Sequence, residues 1–400
     1  MTEPRTLSSP RSRPLDVGVV AYELEGHRSG VGRYLEGLLD GLRQLDLPWN
    51  WHLFCKGEPF EHALFEADGE RPAMAARFDG RPGGSPIPWE QFRLPKLLRS
   101  RPELGMLVSP GYSLPPVSHL PRMVTLHDLS FEHLGQELAF KERWRRRVLA
   151  RVAAKRGDRV LADTEAGAAD LRRTYRLPEA KIGVVPLAVE PRFFDTRTDL
   201  AESSGAARGL ADLGIRGPYL LYLGTILPRR RLDLIVESFA SIAERFPDLQ
   251  LVLAGHNNLP DPRLLQQWID ASGVPGRITY LDYVPEEILP TLCTRAEAGL
   301  YLSTYEGYGL PPLELLAMGT PVVVSDGLAL DDLAPSYPWR TPLDRSSIVA
   351  TLERILVHED RAASIEAARQ EIRRLTWKDC AERYVDQIEL AIQAYKKGGR

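Results

Sequence analysis

The sequence predicts an α/β protein made of two doubly wound, Rossmann-like domains with parallel sheets, facing each other across a cleft. Three observations lead there. Short apolar runs alternate with longer segments whose apolar residues recur at helical spacing, and the alternation passes through the chain twice. Strands and helices that alternate in this way form parallel sheets with helices on both faces. Residues 195–218, which include ESSGAARG, are poor in apolar side chains and separate the two runs, as an interdomain linker or an inserted loop does. At 400 residues the chain is too long for one core and suits two domains of ordinary size. The expected division is a disordered tail at 1–14, an N-terminal domain at 15–195, a linker at 196–217, a C-terminal domain at 218–375 and a last helix within 376–400.

In the first half, residues 15–22 (LDVGVVAY) read as a strand. GHRSGVGRYLEGLLDGL follows as a glycine loop opening into a helix with Tyr34, Leu35, Leu38 and Leu39 on one face. Gly30 and Gly32 let the backbone approach an anion. The dinucleotide fingerprint G-x-G-x-x-G would need glycine at 35, where Leu35 stands, which argues against a nicotinamide cofactor. Residues 51–54 and 104–109 read as strands, and 71–89 as loop-rich, with several Pro and Gly. Residues 121–126 form a strand ending in His127-Asp128, at the carboxyl edge where parallel sheets bind ligands. KERWRRRVLARVAAKR (141–156) is a basic helix with Trp144, Val148, Leu149 and Val152 as an apolar stripe. It lies against an anionic membrane or, on the reading preferred here, sets a solvated face above a core-facing stripe. Residues 159–162 lead into Asp163-Thr164-Glu165, with Thr164 as a helix cap, and 182–187 close the half.

In the second half, 219–223 (YLLYL) is a strand followed by Gly224-Thr225-Ile226-Leu227-Pro228-Arg229-Arg230-Arg231 and a helix carrying Leu232, Ile235, Val236 and Phe239. Three arginines at a helix start oppose that helix's dipole and make sense with an anion in front of them. Residues 249–255 and 278–284 are strands. The segment YLSTYEGYGLPPLELLAMGTPVVVSD (301–326) reads as strand, glycine loop, short helix, turn and strand. Pro311 and Pro312 suit the helix's first turn, Gly319 ends it, and Val322-Val323-Val324 is a buried-strand signature. Glu306 in the loop and Glu314 in the expected first helical turn can face one pocket at a helix N-terminus, an end that favours phosphate. Residues 344–358, 361–375 and 377–395 read as helices.

The bulk composition excludes several classes. Apolar residues make up 44% and charged residues 26%, as in a soluble globular protein, and the net charge of −3 carries no footprint of nucleic-acid binding. Cys55, Cys293 and Cys380 are far apart and odd in number, which suits a reducing cytoplasm and no structural metal site. No apolar run approaches the roughly 18 residues of a membrane span. Residues 1–14 are polar and lack the apolar stretch of a signal peptide.

EGYGLPPLELLAMGTPVVVSD resembles the E-x7-E signature of the retaining glycosyltransferases of family four, which have the GT-B fold. The SG-x-GRY loop, the His127-Asp128 pair, and GTILPRRR beside the family's G-T-x-x-P-R-K-N extend the resemblance over about residues 17–395. Arg230 stands where the family has the lysine that clamps the diphosphate, and Arg231 where it has asparagine. The resemblance implies a nucleotide-sugar donor, with GDP-mannose favoured, and an acceptor glycan or lipid-linked sugar. It implies that His127 lies near the donor sugar, Glu306 orients that sugar and Glu314 holds the ribose. It also implies that Arg229, Arg230 and the N–H groups of Gly309 and Leu310 face the diphosphate, and that backbone near Tyr283 and Val284 meets the base. Thr225, Gly307 and Tyr308 complete the implied donor loops, and the last helix crosses back onto the N-terminal domain. No Asp-x-Asp pair occurs in the sequence, so no metal is expected at the diphosphate. The expected activity is retaining, metal-independent hexosyl transfer in the cytoplasm or on the inner face of its membrane, without a cofactor or nucleic acid. The alternatives are a non-catalytic nucleotide-sugar-binding protein and a GT-B-type epimerase or hydrolase.

Overall fold

A computed structural model describes residues 14–26, 30–68, 73–81, 83–116, 118–135, 138–195, 204–285, 287–357 and 361–398. The expected tail at 1–14 falls almost wholly outside them, as does the first part of the expected linker, 196–203.

Among the described residues two parallel sheets organise the chain. The first contains β1 (Leu15–Val20), β2 (Trp49–Cys55), β3 (Ala75–Phe78), β4 (Leu104–Ser109), β5 (Arg122–Thr125), β6 (Arg159–Ala162) and β7 (Ile182–Val184). Its order is β3-β2-β1-β4-β5-β6-β7. The second contains β8 (Tyr219–Leu223), β9 (Gln250–Ala254), β10 (Ile278–Leu281), β11 (Ala298–Tyr301), β12 (Val322–Ser325) and β13 (Arg340–Thr341), in the order β10-β9-β8-β11-β12-β13. The central strands are largely apolar because helices cover both faces; Val322, Val323 and Val324 are all fully buried. In each sheet the order reverses beside the first strand, between β1 and β4 and between β8 and β11. The crevice outside such a switch point is where an open parallel sheet binds ligands. The loops after β1, β8 and β11 all begin there.

The C-terminal helix Trp377–Lys397 begins with a Thr376/Asp379 capping box and packs on α1 (Gly30–Arg43) of the first domain. Trp377 fills the space over two α1 glycines: a Cβ on Gly37 would lie 2.2 Å from its ring and one on Gly41 2.2 Å from its carbonyl oxygen. Tyr395 Oη donates to the His119 carbonyl at the far end of the helix.

The loop-rich 71–89 segment also holds the short edge strand β3, whose AARF run is too short and too close to glycine and proline to show a period. Two expectations are corrected. Residues 204–212 of the expected linker form the helix Ser204–Asp212 and bury Leu210. The basic helix, Phe140–Arg156, turns Ala150, Ala153 and Ala154 to the core, not the Trp144 stripe. Trp144 is 61% exposed, Val148 39% and Phe140 81%. The small alanine face lets the helix approach its neighbours closely, and the larger apolar residues are left outside.

Candidate donor-binding cleft

The loop after β11 is set by two glycines. Gly309 has φ +85°, a left-handed conformation open to glycine at little cost, and this turns the chain into the helix Leu310–Ala317. Since Gly309 is the cap, Leu310 is the first helical residue, and Glu314 lies in the second turn instead of the expected first. Pro311 and Pro312 have no N–H, so the unpaired donors at this helix tip belong to Gly309 and Leu310. Gly307 sits against the other domain: a Cβ there would lie 2.0 Å from the His127 carbonyl oxygen.

Glu306 is buried with three partners. Ser303 Oγ donates to its Oε1 at 2.7 Å. Arg230 Nη2 donates to Oε2 at 3.2 Å, and Arg230 Nε lies 2.8 Å from Oε1. Arg229 Nε is 3.5 Å from the same oxygen. The Arg230 guanidinium also stands 4.3 Å from the centre of the Tyr301 ring, a cation–π contact. Its Nη1 is buried without a hydrogen-bond partner, and its Nε is too poorly aligned to make one. Arg231 turns away: at φ +47° it pairs with Asp233, Nη2 to Oδ2 at 2.8 Å. So the anion in front of the first two arginines is the protein's own Glu306, and the third has a partner within its helix.

The two domains meet around this loop. Arg33, in the first turns of α1, donates through Nη2 to Glu314 Oε1 and lies 3.4 Å from Glu190 Oε1. Tyr305 Oη donates to Asp170 Oδ2 at 2.9 Å and accepts from the Leu129 N–H at 2.9 Å. Tyr308 Oη donates to the Leu187 carbonyl. Burial pushes the Glu314 carboxyl above its ordinary pKa, and Arg33 pulls against that rise.

His127 occupies the carboxyl end of β5, but its ring does not reach into the cleft with a spare proton. Nδ1 is 2.8 Å from Asp163 Oδ2 and Nε2 is 2.8 Å from the Pro110 carbonyl. Both partners accept, so both nitrogens carry protons. Burial opposes that charge, yet the adjacent Asp163 carboxylate outweighs it and raises the histidine's pKa. In this structure the ring ties the ends of β4, β5 and β6 together, and the residue faces the other domain through its backbone carbonyl. Gly30 and Gly32 lie in the first turn of α1 instead of a preceding loop. Thr225 is exposed after β8, Tyr283 is 70% exposed after β10, and Val284 is half-buried beside it. Arg33, Asp170 and the Tyr305 hydroxyl were not singled out from sequence. Their partners lie 281 and 135 residues away, a separation over which no local pattern operates.

Two Rossmann-like domains with opposed switch points define a GT-B glycosyltransferase fold. A solved structure of sucrose-phosphate synthase from Thermosynechococcus elongatus superposes with a TM-score of 0.70, covering 96% of this chain and 98% of that one at 18% identity. Residues 28–193 match Glycosyltransferase Family 4 and residues 212–370 match Glycosyl transferases group 1, so the chain belongs to the family-four, group 1 glycosyltransferases. O-antigen chain mannosyltransferase B of Escherichia coli is 31% identical over 43% of this chain and 46% of its own length. Alpha-D-kanosaminyltransferase of Streptomyces kanamyceticus is 26% identical over 63% and 65% respectively. The chain thus spans about half to two thirds of the length of these curated relatives.

Proposed function

We propose that the protein moves a hexosyl group, mannosyl in preference, from a nucleotide-sugar to a hydroxyl of an acceptor glycan or lipid-linked sugar, with retention of anomeric configuration and without a metal. The observation that carries this reading is the placement of Arg230 beside Glu306, in the loop that leads into the helix Leu310–Ala317. Breaking the anomeric C–O bond leaves negative charge on the departing diphosphate. Fixed donors aimed at developing charge in a buried site are an effective means of stabilising it. Arg230 offers Nη1 and Nε, Arg229 adds its charge, and the Gly309 and Leu310 N–H groups complete the set. Glu306, already paired with two guanidinium groups, is a hydrogen-bond acceptor for sugar hydroxyls and a weak candidate for a nucleophile. Retention therefore proceeds by same-face attack, as the family resemblance implies. Glu314 accepts from the ribose hydroxyls, and backbone at Tyr283 and Val284 borders the base. The preference for GDP-mannose draws on the mannosyltransferase relative, and the kanosaminyl relative shows that the sugar differs among similar proteins.

A thermal-shift screen with GDP-mannose, UDP-glucose and a dTDP-sugar tests the donor. A ligand present at 100 times its Kd stabilises by about 2.7 kcal/mol, and only the true donor class produces that rise. NMR of the transferred product in the presence of a chelator then tests the chemistry: the anomer of the donor at an undiminished rate is expected. An inverted product or a chelator-sensitive rate contradicts the corresponding part, and sugar release without acceptor favours the hydrolase or epimerase.

The acceptor side extends to a membrane surface. Among the described residues no helix is long and apolar enough to cross a membrane. Phe140, Trp144 and Val148 nevertheless form an exposed stripe at helical spacing, beside exposed Lys141, Arg151, Lys155 and Arg156. An apolar ridge with flanking cations suits the interface of an anionic bilayer. Co-sedimentation with phosphatidylglycerol vesicles is expected for the wild type and lost in Phe140→Ser/Trp144→Ser. Equal binding to neutral phosphatidylcholine vesicles would contradict this contact.

A further inference from the structure

Glu314, the carboxylate assigned above to the ribose, has a partner from the opposite domain. Its side chain is 6% exposed, and Arg33 of α1 holds its Oε1. Arg33 is itself poised between two acids, since the Nη2 that serves Glu314 lies 3.4 Å from Glu190 Oε1. Glu190 is more open, at 28% side-chain exposure, and its Oε2 pairs with Arg192 Nε at 2.9 Å. The Arg33 guanidinium also stands 5.7 Å from the centre of the Phe193 ring, and its Nε is buried with no hydrogen-bond partner. The charged groups around the contact are thus Arg33, Glu190, Arg192 and Glu314, drawn from α1, the segment after β7 and the helix Leu310–Ala317. Two positive and two negative charges balance there while Arg33 bridges the acids.

A ribose accepted by Glu314 meets a carboxylate whose Oε1 Arg33 already occupies. Arg33 has a second site at Glu190, on its own domain, so leaving Glu314 does not strand a buried cation. We propose that Arg33 determines donor affinity: it competes with the nucleotide ribose for Glu314, and donor binding transfers it to Glu190. The proposal rests on Glu314 being the ribose carboxylate. By linkage, whatever holds Arg33 on Glu314 weakens the nucleotide, and the nucleotide weakens this interdomain tie by the same factor.

Calorimetric titration of the full chain with GDP, with UDP and with dTDP tests it. Arg33→Ala removes the competitor and binds its preferred nucleotide about tenfold more tightly than the wild type, within the ordinary range of coupling between sites. Glu190→Gln removes the second site, keeps Arg33 on Glu314 and binds the nucleotide more weakly. Arg33→Lys, with a shorter reach and a single point charge, falls between wild type and Arg33→Ala. In steady state Arg33→Ala lowers the donor KM without an equal change in kcat. A generally loosened structure does not tighten a ligand, so these opposite signs separate competition from simple destabilisation. Equal or weaker binding by Arg33→Ala overturns the proposal while leaving the donor site in place. If Arg33→Ala does not fold, equal or tighter binding by Glu190→Gln overturns it. Failure of wild type and every variant to bind GDP, UDP or dTDP overturns the ribose role of Glu314 and this competition with it.

Discussion

Arg230→Ala lowers glycosyl-transfer turnover by about two to three orders of magnitude, the usual loss when one fixed donor to developing negative charge is removed. Arg230 stacks over Tyr301 and grips Glu306 from two nitrogens, so its position is set before any substrate arrives. That removes the reorganisation which a mobile surface cation would need. Removing one member of a buried ion pair generally destabilises by ~3–5 kcal/mol because the other charge is left unpaired. Here the loss is smaller, as Ser303 still donates to Glu306 and Arg229 remains 3.5 Å away. Circular dichroism and a melting curve confirm that Arg230→Ala is folded before its rate is interpreted. Arg230→Lys, which restores the residue of the family pattern, keeps turnover within roughly tenfold, because lysine supplies the charge without the fork. Near-normal turnover in folded Arg230→Ala contradicts the role.

Gly307→Ala reduces turnover by about a hundredfold, the scale of a misplacement near 1 Å at a reacting centre. The new Cβ would fall 2.0 Å from the His127 carbonyl oxygen, and both sides of that contact are backbone. No side chain can rotate to relieve it, so the two domains must separate. Because the clash lies between domains, opening the cleft removes it, and the melting temperature changes little. Nucleotide affinity also changes less than turnover, since the proposed diphosphate donors all belong to the C-terminal domain. Unchanged turnover in Gly307→Ala would show that the His127–Gly307 contact has no part in the reaction.

The parallel sheets and their helices were legible because central strands are largely apolar and helices repeat their apolar residues at a fixed interval. The E-x7-E spacing identified the loop and helix that carry Glu306 and Glu314. Arg230 and Glu306, 76 residues apart, are brought together because their loops follow β8 and β11, adjacent strands at the switch point. The sequence showed three arginines needing an anion but not that a protein carboxylate would be one. It placed His127 at a strand end, yet could not show both ring nitrogens taken, because Pro110 and Asp163 arrive from two other strands. The basic helix was misread because its large apolar residues repeat at the right interval, and only packing reveals that three alanines face inward. Arg33 lies inside the quoted SG-x-GRY loop, but its importance comes from Glu314, which belongs to the other domain.

On the proposed function, Arg230, with the N–H groups at Gly309 and Leu310, holds a sugar-linked diphosphate next to Glu306. A crystal structure of the chain grown with GDP tests this most directly. Diphosphate oxygens are expected within hydrogen-bond distance of the Arg230 guanidinium and the helix tip, with the ribose on Glu314. A diphosphate bound elsewhere, with the Arg230–Glu306 pair shielded from it, would contradict the account.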